Sequence, residues 1–269
     1  MSDFELKCQK LTNLIENYTK NDIVVAFSGG VDSCLLLKMA CESAKIHKTK
    51  VYAVTLHTTL HTVKELDFTQ ENAQKIGAIH KIIGIDQLTE AGIINNPKDR
   101  CYLCKKYMFS KIVEFAESVD ADMVIDGTNA DDLTVYRPGI KALGELGIVS
   151  PLALSGMTKK EVRLLAEKYS MSASDKPSTP CLATRFEYGM KLDPDKLRLV
   201  EKGEEYLQSL GFYNVRLRVH GSIARIEVDA GDIHLLVDKK EEISDYIKNL
   251  GFKYVTLDME GFVSGSMDR

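Results

Sequence analysis

The sequence is short of positive charge, of long apolar runs and of cysteine, and each shortage removes a class of function. Lys and Arg number 35 against 39 Asp and Glu, giving a net charge of −4 and an isoelectric point near 5.9. A general nucleic-acid surface is normally basic, so the chain has room for a small basic pocket but shows no track for a polyanion. No apolar run is long enough to cross a membrane. The opening Met1-Ser2-Asp3-Phe4-Glu5-Leu6-Lys7 has no apolar signal core, and the expectation is a cytoplasmic protein. Six cysteines in 269 residues are too few for a disulfide scaffold, and a reducing cytosol keeps them as thiols. Metal binding or catalysis is the role left open to them. Internal repeats and low-complexity tracts are absent as well.

What is present is ordinary for a globular protein. Hydrophobic residues make up 44% and charged residues 28%, enough for true cores. The length allows two modest domains or one large α/β unit with an appendage. Residues 4–19 have helical periodicity, and Ile23-Val24-Val25-Ala26-Phe27 reads as a strand covered on both faces. A helix follows over 34–44, then strand 51–56, helix 63–76, strand 81–85, helix 104–118 and strand 123–125. This alternation predicts an α/β, doubly wound, mostly parallel sheet over residues 1–175. Loop composition over 170–194 includes Pro177, Pro180 and Pro194. Beyond it, a helix at 195–210, strands at 213–219 and 223–228, a helix over 231–250 and a strand at 253–257 predict a smaller α+β domain over 176–269.

The chemistry concentrates at Ser28-Gly29-Gly30-Val31-Asp32-Ser33, between the first strand and its helix. Gly29 and Gly30 permit backbone angles that a Cβ forbids. Loop N–H groups can then converge on an oxyanion, and the following helix directs its N-terminus at the same point. Ser28 and Ser33 add hydroxyl donors. The loop has no lysine, so it is not the Walker loop that grips the terminal phosphates. Asp32, acidic where that loop is basic, suggests a magnesium-bound pyrophosphate. The alternative is a tight turn with Asp32 and Ser33 as helix caps. Asp126, Gly127, Thr128 and Asn129 follow the strand 123–125, and Thr55 and His57 stand at the end of the second strand, all at the carboxyl edge where α/β sheets bind ligands. His57 reads equally as a loop polar residue. Asp131 and Asp132 either hold magnesium or cap a helix.

The string from Ala26 through Ser33 resembles the PP-loop of ATP pyrophosphatases. Asp126–Asp132, Tyr136-Arg137-Pro138-Gly139, Ser150-Pro151-Leu152, Pro177–Arg185, Arg216-Leu217-Arg218-Val219-His220, Ala224–Glu227 and the ending Gly261-Phe262…Gly265-Ser266-Met267 narrow the likeness. Together they resemble the LarE family, the sulfur transferases that build the nickel-pincer cofactor of lactate racemase. The resemblance runs from about residue 10 onward. It implies cleavage of ATP between the α and β phosphates, with ATP and Mg²⁺ as cofactors. It also implies adenylation of a carboxylate of pyridinium-3,5-biscarboxylic acid mononucleotide and its conversion to a thiocarboxylate. Once the carboxylate is activated, the acyl carbon needs a sulfur nucleophile held close by. The family further suggests a homo-oligomer; it leaves the sulfide donor open.

Cys101-Tyr102-Leu103-Cys104 places two thiols three residues apart, on one face if a helix starts there. With Cys181 on the loop joining the domains, three thiolates can hold three irons of a [4Fe–4S] cluster. The other reading is a zinc half-site or two packed thiols, although structural zinc takes four ligands. In the better-known branch of the family the cysteine matching Cys181 stands alone, surrenders its sulfur and ends as dehydroalanine. Cys101 and Cys104 depart from that pattern and resemble a cluster-bearing branch. Cys8, Cys34 and Cys41 have apolar helical neighbours and read as packing residues.

Arg216 and Arg218 alternate on one strand and so point to one face, where an arginine pair can hold a phosphate. The resemblance supports that role. It also supports a metal or substrate role for Glu227 and for Glu204, for which a solvated ion pair is the other reading. The rival functions are a tRNA thiolation enzyme, an amide-forming ligase and a non-catalytic nucleotide-binding regulator. The acidic balance and the absence of zinc-ribbon cysteines weigh against the first, and the three-cysteine set weighs against the second.

Overall fold

The computed structural model describes residues 2–58, 60, 63–134, 138–171, 181–263 and 265–268, with side chains for all of these but 63–65 and 268. Tyr136-Arg137 and the Pro177–Pro180 part of the domain-joining string lie outside the described residues. The chain divides into two compact units, Met1–Gly92 with Asp99–Thr179, and Ile93–Lys98 with Pro180–Arg269.

The first unit opens with α1 (Asp3–Tyr18). Its start is fixed by a capping box in which the Ser2 hydroxyl accepts the Glu5 N–H and the Glu5 carboxylate accepts the Ser2 N–H. Then come β1 (Ile23–Ala26), α2 (Val31–His47), β2 (Val51–His57), α3 (Val63–Ile76), β3 (Ile79–Gly84), α4 (Gln87–Glu90) and α5 (Arg100–Ser118). The unit closes with β4 (Met123–Ile125), α6 (Pro138–Glu145), α7 (Pro151–Ser155) and α8 (Lys159–Lys168). The sheet order is β3-β2-β1-β4, all parallel. Both faces are covered, which is why β1 is apolar at every position. Ile23 and Val25 join Leu11, Leu35 and Val162 in one core layer, while Val24 joins Phe109 and Ile112 in the other. The chain reverses direction across the sheet at β1, with β2 on one side and β4 on the other. That reversal opens a ligand crevice at the carboxyl ends of the two strands.

The α/β reading of this unit agrees with the structure, with shifts at the element ends. α5 starts at Arg100 rather than at 104, so Cys101 stands in its first turn. The short α4, α6 and α7 and the ten-residue α8 have no counterpart in the sequence reading. Helices this short draw their stability from packing more than from propensity.

The second unit holds a 3-10 turn (Leu182–Arg185), α9 (Pro194–Ser209), β5 (Val215–His220), β6 (Ile223–Val228), α10 (Ile233–Asp238), α11 (Lys240–Asn249) and β7 (Tyr254–Leu257). β5 pairs antiparallel with β6, and β6 pairs parallel with β7. One face of this small mixed sheet is apolar and buried through Val215, Leu217, Val219, Ala224, Ile226 and Val228. α9 approaches it at Gly203, where a Cβ would come within 2.9 Å of the Leu217 side chain. The helix expected over 231–250 is two helices that break at Lys239, a position that nothing in the composition marks. Residues 93–98 join this unit through Asn96, which is fully buried in the left-handed region at φ 46°. Its side-chain amide donates to the Phe186 carbonyl at 3.1 Å and the Glu187 carbonyl at 2.8 Å. Among the described residues no helix is long and apolar enough to cross a membrane.

Candidate active site

The loop after β1 has the backbone that its glycines allow. Gly29 sits at φ 73°, and Gly30 is the N-cap of α2 at φ −73° and ψ 160°. A Cβ on Gly29 would lie 2.8 Å from the Thr69 methyl group, so packing as well as φ excludes a larger residue there. The Ser33 hydroxyl donates to the Gly30 carbonyl at 3.0 Å and lies 3.2 Å from the Ser28 hydroxyl. Behind the loop, buried Thr55 donates to the Phe27 carbonyl at 2.8 Å and lies 2.9 Å from His80 Nε2. The His80 ring meets Phe27 edge-on at 6.1 Å. Burial pulls the His80 pKa below its usual value, so the neutral ring is favoured there. Thr55 thus supports the loop from the back.

The segment after β4 closes on the same loop. A Cβ on Gly127 would stand 3.1 Å from both Asp32 Cβ and the Ser33 amide nitrogen. Gly127 is therefore where the two crossover loops touch, at the point of strand reversal. Asn129 Nδ2 donates to Asp32 Oδ1 at 3.2 Å. Buried Asp126 accepts the Thr128 hydroxyl at 2.6 Å and the Ser150 hydroxyl at 2.5 Å. Asp131 accepts the Lys159 N–H at 2.8 Å, at the start of α8, and Asp132 accepts the Asn129 N–H at 3.1 Å. Both of these contacts are of the kind a backbone cap makes.

One residue of this site is absent from the sequence reading. Lys159 Nζ donates to Asp32 Oδ2, and the two side chains form a half-buried ion pair. The loop has no lysine of its own, and α8 brings one to it. A local signal was available. Thr158 and Glu161 form a capping box, with Thr158 Oγ1 accepting the Glu161 N–H and Glu161 Oε2 accepting the Thr158 N–H at 2.8 Å. That pattern fixes Lys159 as the first residue of the helix.

In the second unit the charged sheet face is a network. Arg185, 1% exposed, makes two parallel bonds of 2.8 Å to Glu204, and Glu204 Oε1 also accepts the Leu217 N–H at 2.9 Å. Glu227 is fully buried. Its Oε2 accepts Arg218 at 2.8 Å, and its Oε1 accepts Arg225 at 3.1 Å and the Ser266 hydroxyl at 2.7 Å. Glu204 is thus a buried partner of Arg185 rather than a solvated charge. Glu204 spends its oxygens on Arg185 and a backbone N–H, and Glu227 on two arginines and a serine hydroxyl. Arg216 and Arg218 share a face, as strand alternation requires, but their surroundings differ. Arg218 is 4% exposed and bonds Glu227 and the Thr184 carbonyl at 2.9 Å. Arg216 bonds the carbonyl of its neighbour Val215 at 2.7 Å and lies over the Phe262 ring at 5.0 Å. Burial first, then the charges of Arg185 and Arg218, pull the Arg216 pKa below its usual value, while Glu204 and Glu227 oppose the shift. It remains a cation at neutral pH.

Residues 5–95 match the family described as PP-loop domain. The pyridinium-3,5-bisthiocarboxylic acid mononucleotide synthase of Lactiplantibacillus plantarum is 37% identical over 91% of this chain and 88% of its own length. The chain belongs to the LarE family. Uncharacterised proteins of Synechocystis, 37% identical over 97% of both chains, and of Methanocaldococcus jannaschii, 34% identical over 92% of this chain and 93% of that one, match it as fully. As a LarE-family member with a PP-loop, the chain is an ATP-using enzyme.

The cysteines of this LarE-family chain fall into two groups. Cys34 and Cys41 are in the core of the first unit and Cys8 packs against it, and burial pushes the Cys41 thiol up to about 11. Cys101, exposed, and Cys104, half-buried, stand one turn apart at the start of α5, and Cys104 donates to the Met108 sulfur at 3.4 Å. The spacing suits two sulfur ligands on one metal centre. Cys181, half-buried, is the N-cap of the 3-10 turn that carries Arg185, and its carbonyl accepts from Arg185 at 3.3 Å. Among the described residues no three or more His, Cys, Asp or Glu side chains are gathered as for a metal ion.

Proposed function

We propose that this enzyme is an ATP-dependent sulfur transferase acting on pyridinium-3,5-biscarboxylic acid mononucleotide. It adenylates a carboxylate with release of pyrophosphate, and sulfur then displaces AMP to leave a thiocarboxylate. The observation that carries the reaction class is the approach of Gly127 to Asp32 and Ser33 at the strand reversal. It combines a lysine-free phosphate loop with the second nucleotide loop of an α/β crevice. The name of the Lactiplantibacillus relative supports the substrate.

The contacts within each unit support the following assignment of roles. Ser28, Gly29, Gly30 and Ser33 cradle the pyrophosphate, with Ala26 as the end of the strand that carries the loop. Asp32 is assigned to the magnesium that accompanies ATP, and Lys159, its ion-pair partner, to the phosphate charge. Gly127, Thr128 and Asn129 line the nucleotide side, and Thr55 backs the loop. Arg216 takes the substrate phosphate, Arg218 supports it, and Glu204 and Glu227 fix the arginines rather than a metal. Cys101, Cys104 and Cys181 are assigned to a [4Fe–4S] centre on their spacing and on the place of Cys181 in the Pro177–Arg185 string. Such a centre, when bound, would carry an extra sulfide brought by a separate donor, already deprotonated and ready to attack the activated carboxylate. The test is anaerobic incubation of the full chain with ATP, magnesium and the mononucleotide. AMP, pyrophosphate and a thiocarboxylate are the expected products; ADP, or pyrophosphate without dependence on the mononucleotide, defeats the proposal.

A further inference from the structure

Arg216 stands directly opposite Glu227 in the β5–β6 register. Opposite charges so placed ordinarily pair. Here they do not, because Glu227 is already taken by Arg218, Arg225 and Ser266. Ser266 belongs to the C-terminal segment, and so does Phe262, whose ring Arg216 faces. A ring attracts a cation through its face without using the N–H donors. Arg216 is therefore held in place, kept from its opposite carboxylate, and left with most of its five-donor fork to offer an anion.

The segment itself is built to bring Phe262 to this point. The Phe262 N–H donates to the Val228 carbonyl at 2.7 Å, extending the contacts of β6 past its end, and Gly261 N–H donates to the Asp258 carbonyl at 3.1 Å. Gly261 has φ 75°, and a Cβ there would lie 2.8 Å from the Val228 oxygen. Glycine is the residue that allows this turn. Gly261 makes the turn, Phe262 faces Arg216, Ser266 occupies Glu227, and Met267 lies 3.6 Å from Arg225.

We infer that the C-terminal segment around Phe262 and Ser266 is a positioning element that aims Arg216 at the phosphate of the substrate. This rests on the proposed mononucleotide substrate. The test is steady-state pyrophosphate release by the full-length holoenzyme, with KM measured separately for the mononucleotide and for ATP, in Phe262→Leu, Phe262→Tyr and Arg216→Ala variants. Phe262→Leu is expected to raise KM for the mononucleotide about tenfold, with kcat and KM for ATP within about twofold of the unaltered chain. Phe262→Tyr keeps the ring face and is expected to restore the mononucleotide KM. The inference is overturned if Phe262→Leu leaves that KM unchanged while Arg216→Ala raises it, if both KM values rise together, or if Phe262→Tyr fails to restore it. An unaltered chain that releases no pyrophosphate with the mononucleotide defeats the substrate proposal and this inference with it.

Discussion

At the scale of single residues, the site depends on which charges already have partners. Asp32 has two, Asn129 and Lys159. If Asp32 holds magnesium and Lys159 meets phosphate, neither is replaceable by the other. Asp32→Ala is expected to abolish pyrophosphate release, and Lys159→Ala to slow it on the order of a hundredfold, as loss of a charged donor to a transition state does. Both are read by quench-flow with labelled ATP. A Lys159→Ala enzyme at full rate removes Lys159 from the chemistry. The two strand arginines divide in the same way. Arg216→Ala should leave the folded state nearly as stable and weaken the mononucleotide by roughly 1.5–3 kcal/mol, the range for a charge-assisted contact. Arg218→Ala should instead cost about 3 kcal/mol of stability, because it strips a buried carboxylate of one partner. Urea unfolding beside substrate titration separates them. If the two variants have the same profile, their different surroundings carry no functional weight. None of this division was legible in the sequence, where alternation alone set both arginines on one face. Which of them a buried glutamate claims depends on Ser266 and Arg225, the former 39 residues from Glu227.

At the scale of elements, the sequence was most readable where burial is uniform. The apolar run of β1 and the glycine loop carry their own signals, although α2 starts at Val31 rather than at 34, and the carboxyl-edge placement of Asp126–Asn129 follows from strand order. It was least readable over 138–168, where three short helices, with Lys159 at the start of the last, lean on packing and caps. β3 also hides a support. Its edge position leaves it half exposed, yet His80 from it backs both Thr55 and Phe27. Burial lowers the His80 pKa, so the unfolded chain binds the proton more readily. The stabilising contribution is then fully present above the unfolded value, about 6.5, and is lost as pH falls through the lowered folded value. The expected result is a fall in urea midpoint between about pH 7.5 and about pH 5.5 that shrinks in a His80→Gln variant. An equal fall in both chains assigns the loss to other groups.

At the scale of the whole molecule, the sequence does not cut cleanly into two halves. Ile93–Lys98 leaves the first unit to pack in the second through Asn96, and the chain returns at Asp99 to start α5 and its two thiols. The sequence reading kept 93–98 with its neighbours, because a buried asparagine at positive φ has no signature in composition. Cys101 and Cys104 therefore belong to the first unit and Cys181 to the second. If these three thiols serve one iron–sulfur centre, they act together. Replacing any one of them with Ala is then expected to remove iron, colour and thiocarboxylate formation in parallel, with adenylation left standing as mononucleotide-dependent pyrophosphate release. If Cys181 gives up its own sulfur, Cys101→Ala and Cys104→Ala stay active, and Cys181 loses the mass of H₂S after one turnover. Intact-protein mass spectrometry after reaction decides between them. An unmodified Cys181 together with more than one thiocarboxylate per chain supports the shared centre, and dehydroalanine at position 181 defeats it.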